Sequence, residues 1–149
     1  MGEKNAVEKR DFFISYNEYS ENWAEKIAQI LVDNGYTVYI QMWDTLPGDD
    51  FIEKMNEFLE NSRGFVAVVS HRYFNSENCK KEWRAAYNKN STTNGEYQFF
   101  PFRVENADIP VLMQTIVYKN IYGTEDMENA VLQTVSKKPM RTKTTPIAP

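Results

Sequence analysis

The segment GFVAVVS, residues 64–70, runs seven residues without a charge. Strict alternation of apolar and polar residues would mark a strand with one wet face. A continuous apolar run marks a strand covered on both faces, as in a parallel sheet. Helical patterns flank it. Upstream, Asp50 with Glu53 makes a capping-box-like start for a helix carrying Phe51, Met55, Phe58 and Leu59. Downstream lies SHRYFNSENCKKEWRAAY, residues 70–87. A helix over Asn78–Asn88 places Cys79, Glu82, Trp83 and Ala86 at i, i+3, i+4 and i+7, on one side. A glutamate on the apolar stripe of a short helix is out of place as a solubilising residue. The plain alternative is that Glu82 sits at the stripe's edge and reaches water, since Lys80, Lys81 and Arg84 already make the helix amphipathic.

Outward from this unit the same alternation repeats. Residues 1–10 are polar and expected to be disordered. Asp11–Tyr16 reads as a short strand of β-formers. Ser20 is expected to cap a helix with Trp23, Ile27, Ile30 and Leu31 at helical spacing, ended by Gly35. Tyr36–Gln41 is a second strand, and Met42–Asp49 is a loop built on Pro47 and Gly48. Past the polar loop Asn90–Glu96, Tyr97–Val104 reads as a fourth strand. Pro101 inside it marks an edge strand or a bulge on local rules. Ile109–Thr115 supplies only a short helix, Ile116–Ile121 a fifth strand, and Thr124 starts a last helix with Met127, Ala130, Val131 and Val135. From Ser136 the chain turns basic and proline-containing without periodicity, so residues 136–149 read as a linker or truncated tail. Five strands alternating with helices describe a layered α/β fold of one domain over residues 11–135. In such sheets ligands bind beyond the carboxyl ends of the strands. The segments Tyr16–Tyr19, Met42–Asp49 and Ser70–Asn78 lie there, with Glu82 about one helical turn further on.

Composition removes several classes of function. A net charge of −4 over 149 residues, with no basic cluster interleaved with aromatics, argues against a nucleic-acid partner. Cys79 is the single cysteine and His71 the single histidine, so no intramolecular disulfide or Cys-rich zinc site is expected. No apolar run reaches the ~20 residues of a membrane span, and Met1–Arg10 is not signal-like, which makes a cytoplasmic protein the default. Neither GxGxxG nor GxxxxGK[ST] is present. A phospho-acceptor aspartate would end the third strand, where Ser70 stands. A Ser/His/Asp triad would need His71 beside Ser70, without the glycines of a nucleophile elbow.

What remains is a lone carboxylate with aromatics and hydroxyls nearby. Cleavage of a ribose–pyridinium bond suits that inventory. The leaving base departs neutral, and a fixed carboxylate can stabilise an oxocarbenium-like ribosyl group. Tyr16, Trp43 and Phe51 are candidates to stack on the bases, with core packing at least as good a reading for Phe51.

Four motifs in order carry a resemblance: Phe13-Ile-Ser-Tyr16, Trp43-Asp-Thr-Leu-Pro-Gly-Asp49, Val68-Val-Ser70 and Cys79-Lys-Lys-Glu-Trp83. Together they resemble a Toll/interleukin-receptor (TIR) domain from about Asp11 to Val135, closest to bacterial TIR domains at the N-terminus of multidomain immune proteins. The resemblance implies a flavodoxin-like three-layer fold with a five-stranded parallel sheet ordered 2-1-3-4-5, and a tolerated proline in the fourth strand. It implies NAD⁺ as substrate, with no separate cofactor or metal, cleaved to nicotinamide and an ADP-ribose product with Glu82 as the catalytic residue. The implied substrate-binding residues are Phe13, Ser15, Tyr16 and Asn17 from the first strand and its end. Trp43 and Asp44 from the loop, and Ser70 from the third strand, complete them. The implied partners are other TIR domains and further sensor domains, with no nucleic acid and no membrane. The competing reading is a non-catalytic TIR scaffold. Two departures stand out. Asn78 replaces an aromatic four positions before the glutamate, which leaves the product isomer open. Gln41 replaces an aspartate at the end of the second strand, a loop-anchoring role that Asp44 is placed to take.

Overall fold

The central strand of the sheet is the one the apolar run announces. In the computed structural model, which describes residues 8–144 and side chains as far as Ser136, β3 spans Ser62–Val69. It lies between β1 (Arg10–Ser15) and β4 (Gln98–Arg103), both parallel to it. With β2 (Val38–Ile40) and β5 (Lys119–Asn120) outside them, the order is β2-β1-β3-β4-β5. This is the three-layer, flavodoxin-like arrangement. Every residue of β3 from Gly64 to Val69 is buried, because alternate side chains enter two separate cores. Val66 and Val68 pack with α1 (Glu21–Asp33) and α5 (Met127–Thr144). Phe65, Ala67 and Val69 pack with α3 (Phe51–Glu60) and α4 (Glu77–Thr92).

The α3–α4 core is largely aromatic. Phe65 meets Phe13 edge-on and stacks on Phe99, both at 5.5 Å between ring centroids. Tyr39 stacks on Phe58 at 4.6 Å. Pairs of this kind add about 0.5–1.5 kcal/mol each beyond the apolar area they bury. At the far end of β3, Gly64 sits opposite Gln98 of β4. A Cβ there would lie 2.9 Å from Gln98 Cβ, 3.2 Å from the Gln98 carbonyl oxygen and 3.3 Å from Phe12 Cδ1. Gly64→Ala is therefore expected to destabilise the domain by about 1–3 kcal/mol through overpacking, read as a fall in melting temperature.

Several boundaries depart from the sequence reading. β1 takes in Arg10, one residue inside the stretch expected to be disordered; residues 1–7 lie outside the described residues. Ser20 occupies the N-cap of α1, but its hydroxyl bonds the Asn17 carbonyl instead of capping. The end is closed by a 3-10 turn, Glu18–Ser20, capped by Asn17. Gly35 does end α1, at φ +92°, with Tyr36 N–H returning to the Leu31 carbonyl. The loop 42–49 begins with a single helical turn, α2 (Gln41–Asp44). β4 is interior by order, yet β5 pairs only with Phe102 and Arg103. Its first four residues behave as an edge, where Pro101 is tolerated. Helical backbone continues through the stretch read as a linker as far as Thr144, and residues 145–149 lie outside the described residues.

Candidate active site

The carboxyl ends of β1 and β2, with the starts of α2, α3 and α4, enclose a cleft of about 460 Å³. That volume lies within the usual range for small-molecule sites. Its wall is formed by Tyr16, Asn17 and Glu18 after β1, Gln41 of α2, Phe51 of α3, and Ser76, Asn78, Cys79 and Glu82. Ser76 caps α4, accepting from Cys79 N–H at 3.2 Å, and so fixes where the helix begins. The stripe Cys79, Glu82, Trp83 and Ala86 then turns inward as a unit, and all four are buried. Glu82 does not escape to water. It is 8% exposed.

A buried carboxylate needs a donor. Ser15, the last residue of β1, supplies it, donating from Oγ to Glu82 Oε1 at 2.6 Å. Burial pushes the Glu82 carboxyl up to about 7, and the Ser15 bond opposes that rise. Tyr16 is also driven up, to about 12, chiefly by burial and then by Glu21, with the Met42 backbone acting the other way. It therefore presents a neutral phenol. Burial likewise raises Cys79 to about 12, so the thiol in the cleft wall is protonated and poorly nucleophilic. No lysine, arginine or histidine is among the residues lining the cleft. Ser15→Ala should raise the Glu82 midpoint by about one pH unit, since a hydrogen bond to the ionised form is lost. A titration of the glutamate carboxyl carbons by ¹³C NMR reads it directly; an unmoved midpoint would show that Ser15 does not hold Glu82 in solution.

The residues singled out in the sequence divide into two sets. Glu82, Tyr16 and Asn17 line the cleft, and Ser15 reaches it through Glu82. Phe13 lies in the α3–α4 core against Phe58 and Phe65. Ser70 is buried behind β3, accepting from Ser20 Oγ at 3.4 Å. Trp43 is 42% exposed on α2 and is not among the lining residues. Asp44 is turned away and anchors the loop. Its Oδ1 accepts from Arg10 Nη1 at 3.0 Å and its Oδ2 from Ile40 N–H at 2.8 Å. Sequence reasoning passed over Glu18 and Ser76 as site residues. It treated Gln41 and Asn78 only as departures from a pattern. Ser76 had a readable signal, a serine three residues before the first apolar position of α4.

Residues 12–135 match the family described as TIR domain. The chain belongs to that family. This TIR domain is 22% identical to the 3' cyclic ADP-D-ribose synthase AaTIR of Aquimarina amphilecti over 131 residues, 87% of this chain and 40% of that protein. It is 29% identical to Toll-like receptor 2 of Mus musculus over 75 residues, 48% of this chain and 10% of the receptor. The chain thus spans less than half the length of these curated relatives. Among solved structures, the TIR domain of the Toll-related receptor TRR-2 from Hydra magnipapillata is similar with a TM-score of 0.73 at 18% identity, covering 87% of this chain and 98% of that one. That likeness concerns the fold. Among the described residues of the TIR domain, no group of three or more His, Cys, Asp or Glu could hold a metal ion. No helix there is long and apolar enough to cross a membrane.

Proposed function

We propose that this TIR domain is an NAD⁺ glycohydrolase of the bacterial-defence type, cleaving the nicotinamide–ribose bond to give nicotinamide and ADP-ribose, linear or cyclic. The observation that carries the reading is Glu82, a carboxylate 8% exposed and held by Ser15 at the wall of the cleft. Breaking the C1'–N bond sends its electron pair to the pyridinium nitrogen, so nicotinamide leaves neutral and needs no acid. The ribosyl group is left oxocarbenium-like, and a fixed carboxylate in a partly dry site stabilises that charge. A free-enzyme carboxyl near 7 also suits removal of the proton from the incoming hydroxyl, of water for hydrolysis or of a ribose for cyclisation. The cationic pyridinium ring favours the ionised form of Glu82 on binding. The name of AaTIR, a cyclic ADP-ribose synthase, supports chemistry of this class.

The setting we propose is cytoplasmic, within a larger sensor protein, with activity switched on by association of TIR domains. Leu46 is 74% exposed on the loop before α3, and Leu112 is 90% exposed on the connection between β4 and β5. Apolar surface of this kind fits partner domains; it also favours the scaffold reading, in which such contacts are the whole function. Tethering several copies raises the local concentration to about millimolar. Nicotinamide released per TIR domain should therefore rise across a dilution series, and rise further on fusion to an oligomerising domain. A flat, high profile would rule out control by association. No release at any concentration, fused or not, would leave the scaffold.

A further inference from the structure

Ser15 has a single hydroxyl proton and two oxygen partners, with the Cys79 thiol as a further polar neighbour. Its Oγ lies 2.6 Å from Glu82 Oε1 and 2.8 Å from the Tyr73 hydroxyl. All three side chains are buried, and Tyr73 completely. An ionised carboxylate only accepts, so the Ser15 proton is committed to Glu82. Tyr73 must then be the donor to Ser15. The chain has one direction, from Tyr73 O–H to Ser15 O–H to Glu82 Oε1. Protonation at Glu82 Oε2, which takes no part in the Ser15 bond, leaves Oε1 a neutral carbonyl acceptor and the chain's direction unchanged. The last bond then loses its charge assistance. The relay as built is strongest with Glu82 ionised.

Resting on the reading of Glu82 as the working carboxylate, we infer that Tyr73 is a positioning residue that acts through Ser15 to hold Glu82 oriented and ionised at the cleft. Tyr73 is not among the residues lining the cleft and does not meet substrate there. It is placed by the 3-10 turn Tyr73–Asn75 that joins β3 to α4, where its N–H bonds the Ser70 carbonyl. Its ring packs edge-on against Phe74 and Trp83 at 5.1 and 6.0 Å. Strand β1, strand β3 and helix α4 thus converge on one hydroxyl chain. The other titratable or charged groups around Glu82 are Tyr16 and Glu18 from the segment after β1, Cys79 from its own helix, and Lys81 along the adjoining groove between α3 and α4. Tyr16, Cys79 and Tyr73 are all raised, chiefly by burial. They stay neutral over the range where Glu82 titrates, which leaves the hydroxyl chain as the adjustable element.

The test is a ¹³C NMR titration of the glutamate carboxyls in the whole chain, alongside the pH profile of nicotinamide release. Tyr73→Phe keeps the ring and removes the donor. It should move the Glu82 midpoint upward by about half a pH unit, as polarisation along the chain is lost. The acid limb of the rate profile should move with it. In a Ser15→Ala background the same change should do nothing to the midpoint, because Tyr73 acts only through Ser15. If Tyr73→Phe does not fold, 3-fluorotyrosine at position 73 is a stronger donor of nearly the same size and should lower the midpoint instead. An unmoved midpoint in the folded variant, or an equal shift with and without Ser15, would overturn the inference. The NMR arm reads Glu82 without substrate, so a protein that releases no nicotinamide while its Glu82 midpoint moves as stated counts against the glycohydrolase and for the relay.

Discussion

Glu82→Gln is expected to lower the rate of NAD⁺ cleavage by about 10²–10³-fold, the scale set by loss of one preorganised electrostatic stabiliser. The substitution keeps the shape of the side chain and leaves an amide oxygen to accept from Ser15 at the 2.6 Å position. On the proposed reading it removes the charge facing the developing oxocarbenium and the base that takes the proton of the incoming hydroxyl. Both are transition-state effects that fall on kcat, while loss of the attraction to the cationic pyridinium ring adds a rise in KM. The helix tolerates the change, since Glu and Gln have similar helix propensity. A variant that cleaves as fast as the parent would place the chemistry elsewhere.

The same substitution should make the protein more stable at alkaline pH. Moving the Glu82 carboxyl from an ordinary 4.5 to about 7 means that the folded state binds this proton more tightly than the unfolded chain. Stability then falls as pH rises between about 4.5 and 7, and the full penalty of the buried ionised group is present above 7. That penalty is about 3 kcal/mol. Gln carries no such penalty at any pH. At pH 8 Glu82→Gln should therefore melt about 10 °C above the parent, and near pH 4.5 the gap should close. Melting curves of the two proteins at both pH values measure it. Parallel behaviour across the range would show that Glu82 is solvated like a surface carboxylate. A site that gives up stability for charge placement is what an enzyme requires, and a scaffold has no use for it.

The parallel sheet was largely legible because β3 announces itself, and its strand order was implied by the resemblance to TIR domains. Phe65 to Val69 is apolar on both faces, as a parallel sheet covered by helices on both sides requires. Glu82 was legible for a related reason, as a charge at the i+3 position between Cys79 and Trp83, where burial of the neighbours drags it inward. The rest of the site depends on contacts far apart in sequence, which no local pattern encodes. Tyr73 and Ser15 are 58 residues apart, and Ser15 and Glu82 are 67 apart. Asp44 read both as a loop residue that meets a ligand and as an anchor of that loop. Arg10, at the other end of β1, reaches it and holds it away. Phe13 alternates to the α3–α4 side of the sheet and is committed to the aromatic core. Trp43 lies on a turn of helix that the pattern of Met42–Asp49 does not reveal. The extent of α5 beyond Val135 was hidden because Pro139 and the basic run erase the apolar periodicity that marks a helix.

Chromatography of NAD⁺ incubated with concentrated protein tests the central claim most directly, with parent and Glu82→Gln run side by side. For the parent, nicotinamide should appear in step with an equal amount of linear or cyclic ADP-ribose, and the Glu82→Gln protein should form roughly a hundredth as much or less in the same time. Intact NAD⁺ with the parent, or equal product from both proteins, would contradict it.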